Sequence, residues 1–166
     1  MLKWWGSKDI KIAVKEFFES ENRLENKVAV DIPAGEGVTS EILKNRGAKV
    51  VPVDLFPEFF KVDGLECVRG DLSIAPLNLQ PHMADLLICQ EGIEHMSDQM
   101  AVLREFNRIL KPQGLMYITT PSYSHLRSKL SYLLVESEFY KRLPANEIDD
   151  IWFSNDGDVY YGHIFL

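Results

Sequence analysis

The residues best able to do chemistry gather around two short stretches. Val28-Ala29-Val30 leads into Asp31, and after Ile32, Pro33 and Ala34, Gly35 and Gly37 flank Glu36 before a helical pattern starts at Val38. A buried strand running into a small-residue turn and a helix N-terminus presents backbone N–H groups to a ligand, with the helix dipole behind them. Twenty-three residues after Asp31, a second apolar run, Ala48 to Val53, ends on Asp54. An acid at the tip of the next strand is where a nucleoside ligand presents its ribose hydroxyls. Together these positions point to an adenosine-type cofactor. A glycine loop of this kind serves nicotinamide, flavin and nucleotide-sugar enzymes equally, but the dinucleotide pattern G-x-G-x-x-G is absent because position 40 is Ser40.

Alternating strands and helices must hold these residues. The pattern predicts strand Lys27–Ile32, helix Val38–Arg46 ending before Gly47, strand Ala48–Val53, a weaker strand Glu66–Arg69, and strand Ala84–Cys89, whose near-continuous apolar run suits burial on both faces. Helix Asp98–Leu110 follows, with Ser97 or Asp98 as its cap and Met100, Leu103, Phe106 and Leu110 on its apolar stripe, while Glu105 is expected to turn away. Lys111-Pro112-Gln113-Gly114 should stop it, and strand Leu115–Thr120 completes a five-stranded series. Before all of these, Ile10, Val14, Phe17 and Phe18 fall at helical spacing. The order argues for an α/β, doubly wound, mostly parallel sheet of Rossmann-like type in a single domain.

Composition sets outer bounds. The chain has 166 residues, is 46% hydrophobic and 26% charged, and carries a net charge of −7. That size suits one domain with its own core, and that charge argues against bulk attraction to a nucleic-acid backbone. Nothing approaches a membrane span, and the two cysteines, Cys67 and Cys89, sit inside apolar runs as reduced thiols would in a cytoplasmic protein.

Taken in order, the motifs from Asn26 to Ser122 resemble those of class I S-adenosylmethionine-dependent methyltransferases, of the broad group acting on small molecules, lipids and glycan precursors. Asp31-Ile-Pro-Ala-Gly-Glu-Gly37 is similar to the family's acid-then-glycine loop, with Pro33 where a first glycine is usual. The resemblance implies S-adenosylmethionine held by Asp31, Ala34, Gly35 and Gly37, with Asp54 on the ribose hydroxyls and Leu55 beside it. It likewise implies Asp71 on the adenine amino group, Leu72 offering a backbone contact, and Gln90 in the loop after the fourth strand. Arg108-Ile-Leu-Lys-Pro-Gln-Gly114 and Tyr117-Ile-Thr-Thr-Pro121 resemble the family's closing helix-turn-strand, with Gln113 replacing a common glycine.

Methyl transfer from a sulfonium demands alignment more than acid–base machinery, and an oxygen acceptor adds a proton to remove. His95 stands in the fourth-strand loop with an ordinary pKa near ~6.5 and is the candidate base. Glu91-x-x-Glu94-His95 also resembles the E-x-x-E-H signature of metal-dependent O-methyltransferases, which implies a divalent cation such as Mg²⁺ held by Glu91, Glu94 and His95, with His163 or His125 completing the set.

The expected division is an N-terminal helix and lid over 1–25, a cofactor-binding core over 26–122, and a helical and aromatic substrate-side insertion over 123–166. The last stretch looks truncated, because the family's sheet continues with a terminal hairpin that this chain has no room for. The fifth strand would then lie at an open edge, covered by a missing C-terminal portion or by a second copy in a homodimer. The expected activity is methylation of a small-molecule, lipid or glycan-type acceptor, most simply at oxygen. Two other readings are a non-catalytic module that binds the cofactor or a partner, and a nicotinamide-dependent oxidoreductase, which leaves Asp71 and Glu94-His95 without a role.

Overall fold

The computed structural model describes residues 14–18 and 24–120, together with the strand backbones of 150–153 and 159–162. The elements are a helical stretch α1 (14–18), β1 (Val28–Asp31), α2 (Val38–Asn45), β2 (Lys49–Asp54), β3 (Val68–Arg69), β4 (Ala84–Gln90), α3 (Gln99–Ile109), β5 (Leu110–Thr119), β6 (Asp150–Phe153) and β7 (Val159–Gly162). Pro57–Phe59 and Ile93–His95 form 3-10 turns. Strands β1 to β5 make a parallel sheet in the order β3-β2-β1-β4-β5. The order reverses between β1 and β4, so chain crossovers depart to opposite sides there and leave a crevice at the strand C-termini.

The middle of the sheet is dry. Ala29, Val30, Leu87, Ile88 and Cys89 have no accessible surface, as strands covered on both faces require. On one face Val102, Phe106 and Ile109 of α3 meet Val30, Val53 and Leu87. On the other, Val14 and Phe18 of α1 and Leu43 of α2 pack on Ala29, Leu86 and Ile88. Phe17 stacks on Tyr117 of β5 at 5.2 Å, which fixes α1 near the sheet's far side. Burying a side chain such as Phe18 or Phe106 contributes about 2–3 kcal/mol each.

Helix α3 departs from expectation in which face it buries. Asp98 caps it, accepting from the Ala101 N–H at 2.8 Å. Its buried residues are Val102, Glu105, Phe106 and Ile109, whereas Met100 is 57% exposed. Glu105 points inward because it has partners there. It accepts from the Leu77 N–H at 2.8 Å and holds Arg108 through two bonds of 2.8 and 2.6 Å. Arg108 also donates to the Leu77 carbonyl, which ties the chain before β4 to α3. Glu105→Ala strands a buried N–H and a guanidinium together, so urea unfolding should show a loss of about 3 kcal/mol. The Arg108 hydrogen bond holds the Glu105 carboxyl below its ordinary value. This contribution is therefore present above the ordinary carboxylate pKa and fades as pH falls through the lowered one.

A further expectation changes. Lys111-Pro112-Gln113-Gly114 is part of β5 rather than a turn before it. Gln113 takes φ +67°, and the β4–β5 register shifts between Ala84 and Leu86, so the helix-stopping residues are absorbed as an irregularity in the strand. Strands β6 and β7 pair antiparallel, Trp152 opposite Tyr160, as a two-stranded sheet separate from the main one, and among the described residues β5 stands at the edge of the main sheet. Cys89 is buried as expected, but Cys67 is half-buried, and both are free. No helix among the described residues is long and apolar enough to cross a membrane.

Candidate active site

A cavity of about 830 Å³ lies at the C-terminal ends of the strands. Asp31, Ala34, Gly35, Asp54, Leu55, Asp71, Leu72 and Gln90 all line it, and so do Glu91 and His95 from the loop after β4. Gly37 and Glu94 are absent from its wall.

The glycine loop is built by its own backbone. Ala34 N–H donates to the Val53 carbonyl and Gly37 N–H returns to the Ala34 carbonyl, both at 2.9 Å, so the chain leaving β1 is stitched to the end of β2. Gly35 has φ +54°, and a Cβ there would meet nothing within 4 Å. Its backbone faces open cavity, where a ligand can approach closely. Gly37 does a different job. It caps α2 at φ +93°, and a Cβ would come within 2.4 Å of Val62 and 2.6 Å of Phe60. Only glycine lets residues 60–62 lie against the loop.

The three strand-end acids differ in electrostatics. Asp31 is buried, and Ser40 Oγ donates to it at 2.6 Å. Desolvation pushes its pKa from 3.8 to about 7, although the Ser40 bond pulls the other way. Ser40, the residue that breaks the dinucleotide pattern, is thus the partner of the first acid. Asp54 accepts the Gly35 N–H at 2.7 Å on one oxygen and the Phe56 N–H at 2.8 Å on the other. Each carboxylate oxygen carries a second lone pair, so acceptor capacity is left for ribose hydroxyls. Asp71 receives Ser73 N–H and Ser73 Oγ on the same oxygen, at 2.8 and 2.6 Å, leaving its other oxygen open. Gln90 donates to Thr39 Oγ1, joining β4 to the first turn of α2.

The loop after β4 does not assemble the metal set expected from the E-x-x-E-H spacing. Glu91 sits at φ +47°, Gly92 follows, and Ile93–His95 is a 3-10 turn. In an α-helix these positions would share a face, but here Glu94 is turned inward and 4% exposed while Glu91 and His95 line the cavity. Burial pushes the Glu94 carboxyl up to about 7, and its Oε2 has no hydrogen-bond partner. Among the described residues no three His, Cys, Asp or Glu side chains are placed to hold a metal ion. His163 and His125 lie outside the described residues. The buried thiol beside this loop is no nucleophile either, since desolvation pushes Cys89 up to about 12.

A family model described as "Methyltransferase domain" matches residues 30–118, from the middle of β1 to the end of β5. The chain belongs to the methyltransferase-domain family. The class I resemblance read from the motifs is borne out by that match, which runs through the glycine loop and all three acids. Among curated relatives, the "Ubiquinone biosynthesis O-methyltransferase" of Neisseria meningitidis serogroup C is 28% identical over 158 residues, covering 80% of this chain and 65% of that protein. The protein of the same name from Xanthomonas campestris pv. campestris strain B100 is 30% identical over 122 residues, covering 69% and 50%. The chain thus spans between half and two thirds of the length of these relatives. Of the solved structures, an S-adenosylmethionine-dependent methyltransferase from Mesorhizobium loti superposes with a TM-score of 0.54 at 20% identity, over 62% of this chain and 55% of that one. At that identity the likeness shows the methyltransferase-domain fold.

Two groups of site residues escaped the sequence reading. Thr39 and Ser40 are buried polar residues in the first turn of α2, and the only signal for them was small polar side chains facing a strand that ends in an acid. Phe56 and Phe59 also line the cavity, and their signal was an aromatic pair directly after Asp54.

Proposed function

We propose that this domain is an S-adenosylmethionine-dependent methyltransferase that methylates a hydroxyl oxygen on a small-molecule acceptor. The observation that carries this reading is that one cavity gathers the glycine loop, the three strand-end acids and the His95 loop. The residues fit the cofactor. Gly35 offers backbone at open space, Asp71 has an unengaged oxygen, and Asp31 is a buried acid without a cation among its described partners. When bound, S-adenosylmethionine supplies a methyl group activated by a positively charged sulfur.

Asp31 compensates positive charge on the amino acid part, Asp54 receives the ribose hydroxyls, and Asp71 accepts from the adenine amino group. Gln90, braced on Thr39, and Glu91 border the space between cofactor and acceptor. His95 would accept the proton of the acceptor hydroxyl as its oxygen takes the methyl group and the methyl–sulfur bond breaks, which leaves a methyl ether, S-adenosylhomocysteine, and a histidinium that returns the proton to solvent. Metal assistance forms no part of this reading, because Glu91, Glu94 and His95 do not make a ligand set. The names of the curated relatives favour oxygen as the acceptor atom. The free Cys67 and Cys89 suit the reducing cytoplasm.

The decisive experiment is calorimetric titration with S-adenosylhomocysteine and with NAD, followed by turnover with methyl-labelled S-adenosylmethionine and small-molecule acceptors that carry a free hydroxyl. Binding of the first ligand alone, with label transferred to an acceptor oxygen, is expected. Binding of NAD instead would overturn the assignment.

A further inference from the structure

Helix α2 begins without a side-chain cap of its own. Gly37 stands at the cap position and makes no side-chain bond to the N–H groups of the first turn. The acceptor comes from the preceding strand instead. Asp31, nine residues earlier, accepts from Ser40 Oγ at 2.6 Å, and the Ser40 backbone N–H favours the same carboxylate. Ser40 is the third residue of α2 and has no accessible surface. Its neighbour Thr39 makes a parallel link by accepting from Gln90. Two small polar side chains in a row thus tie the first turn of α2 to the ends of β1 and β4. A glycine at position 40, as the dinucleotide pattern would place there, has no hydroxyl for this contact.

The surroundings of Asp31 make that hydroxyl matter. Burial opposes its charge, and Asp54 at the end of β2 repels it. The titratable groups facing it from the other strands are the thiols of Cys89, in β4, and of Cys67, just before β3. None of these supplies a positive charge. Support for the carboxylate comes from the start of α2, through its N–H groups and the Ser40 hydroxyl. Ser40 itself is absent from the cavity wall, whereas Asp31 lines it. We propose that Ser40 is a positioning residue of this site: by engaging one carboxylate oxygen, its hydroxyl orients Asp31 and favours the charged form that the amino group of the cofactor requires. Ser40 acts through Asp31 rather than on the ligand. This inference rests on the cofactor reading above and adds to it a residue of α2 and a means of tuning the first acid.

The test uses the full chain and two calorimetric probes, S-adenosylhomocysteine and 5′-methylthioadenosine, the second of which lacks the amino acid part. Losing one hydrogen bond to a charged group should make Asp31 release its proton about one pH unit later. Ser40→Ala should therefore weaken S-adenosylhomocysteine up to about tenfold near pH 6 and less than about twofold near pH 8.5, where both proteins have released that proton. Methylthioadenosine should stay within about twofold of the parent protein throughout, since it brings no amino group to Asp31. Ser40→Thr, which restores a hydroxyl, should follow the parent's pH profile. Ser40→Ala placed in the Asp31→Asn background should add no pH-dependent loss. A loss in Ser40→Ala that is the same at every pH, or equal for both probes, would mark a structural effect and overturn the inference. An unchanged profile would do so too. A parent protein that binds neither probe would overturn the cofactor reading and this inference with it.

Discussion

Asp54→Ala is expected to abolish measurable cofactor binding at ligand concentrations that saturate the parent protein. The carboxylate serves three partners in the proposed complex: the Gly35 N–H, the Phe56 N–H and the ribose hydroxyls. Losing a charged acceptor for the ribose alone costs about 1.5–3 kcal/mol. Alanine also frees two backbone donors that hold the glycine loop and the chain just after β2 in place, so the total should reach about 3 kcal/mol or more, at least a hundredfold in affinity. Asn is a poor rescue, since its NH₂ would confront one of the two N–H groups. Calorimetry with S-adenosylhomocysteine, paired with urea unfolding to separate binding from stability, measures both parts. An affinity within threefold of the parent would remove Asp54 from the ribose assignment.

The second large effect is a dependence on pH set by Asp31. Its pKa stands at about 7 in the folded protein against an ordinary 3.8, with desolvation the main cause. A raised carboxyl pKa means the folded state holds a proton that the unfolded state has released. Its contribution to stability is full below pH 3.8 and is lost as pH rises through about 7. Between pH 5 and 8 the ligand-free protein should therefore lose about 3 kcal/mol that the Asp31→Asn variant keeps. Binding runs the other way. A cationic cofactor favours the charged carboxylate, so affinity for S-adenosylmethionine should climb up to about tenfold per pH unit from 5 to 7 and then level off. Asp31→Asn should flatten that climb, bind more weakly at pH 8, and be the more stable protein there. Glu94 titrates in the same range but is shared by both proteins, so the difference between them isolates Asp31. A parallel pH profile for parent and variant would defeat this account.

How much of this was legible in the sequence depends on whether the signal was local. The glycine loop and Asp31, Asp54 and Asp71 could be found because each acid follows an apolar run or a weaker strand pattern, and the parallel topology brings such ends together. The inward turn of Glu105 could not be found. Its reason is the Leu77 N–H, twenty-eight positions away, and helical periodicity says nothing of a partner that arrives from another segment. The metal set failed for a related reason: Glu91, Glu94 and His95 have the spacing of a helix face, but the backbone there passes through a left-handed residue and a 3-10 turn. Lys111-Pro112-Gln113-Gly114 has the composition of a turn, yet the strand pairing of β5 captured it with Gln113 at positive φ. The pinning of the connection from β2 to β3 was invisible because Arg69, Lys61 and Lys44, which hold the Leu55 carbonyl, the Glu36 carboxylate and the Asp63 carbonyl, look individually like ordinary surface cations.

The crossover from β2 to β3 contains a 3-10 turn, Pro57–Phe59, and no α-helix, which bears on how the molecule is held together. Strand β3 has two residues, Val68 and Arg69, both exposed, and the connections on either side of it carry no α-helix. With both of its residues exposed, β3 has little apolar burial to resist opening, so its amides should exchange with solvent through small local fluctuations while those of the buried β1 and β4 exchange on global unfolding. A purine and ribose seated there would supply the packing that a helix gives elsewhere. Ligand at a hundred times its dissociation constant adds about 2.7 kcal/mol to the folded state. We therefore expect a bound cofactor to slow exchange at this edge of the sheet as well as to serve the proposed reaction.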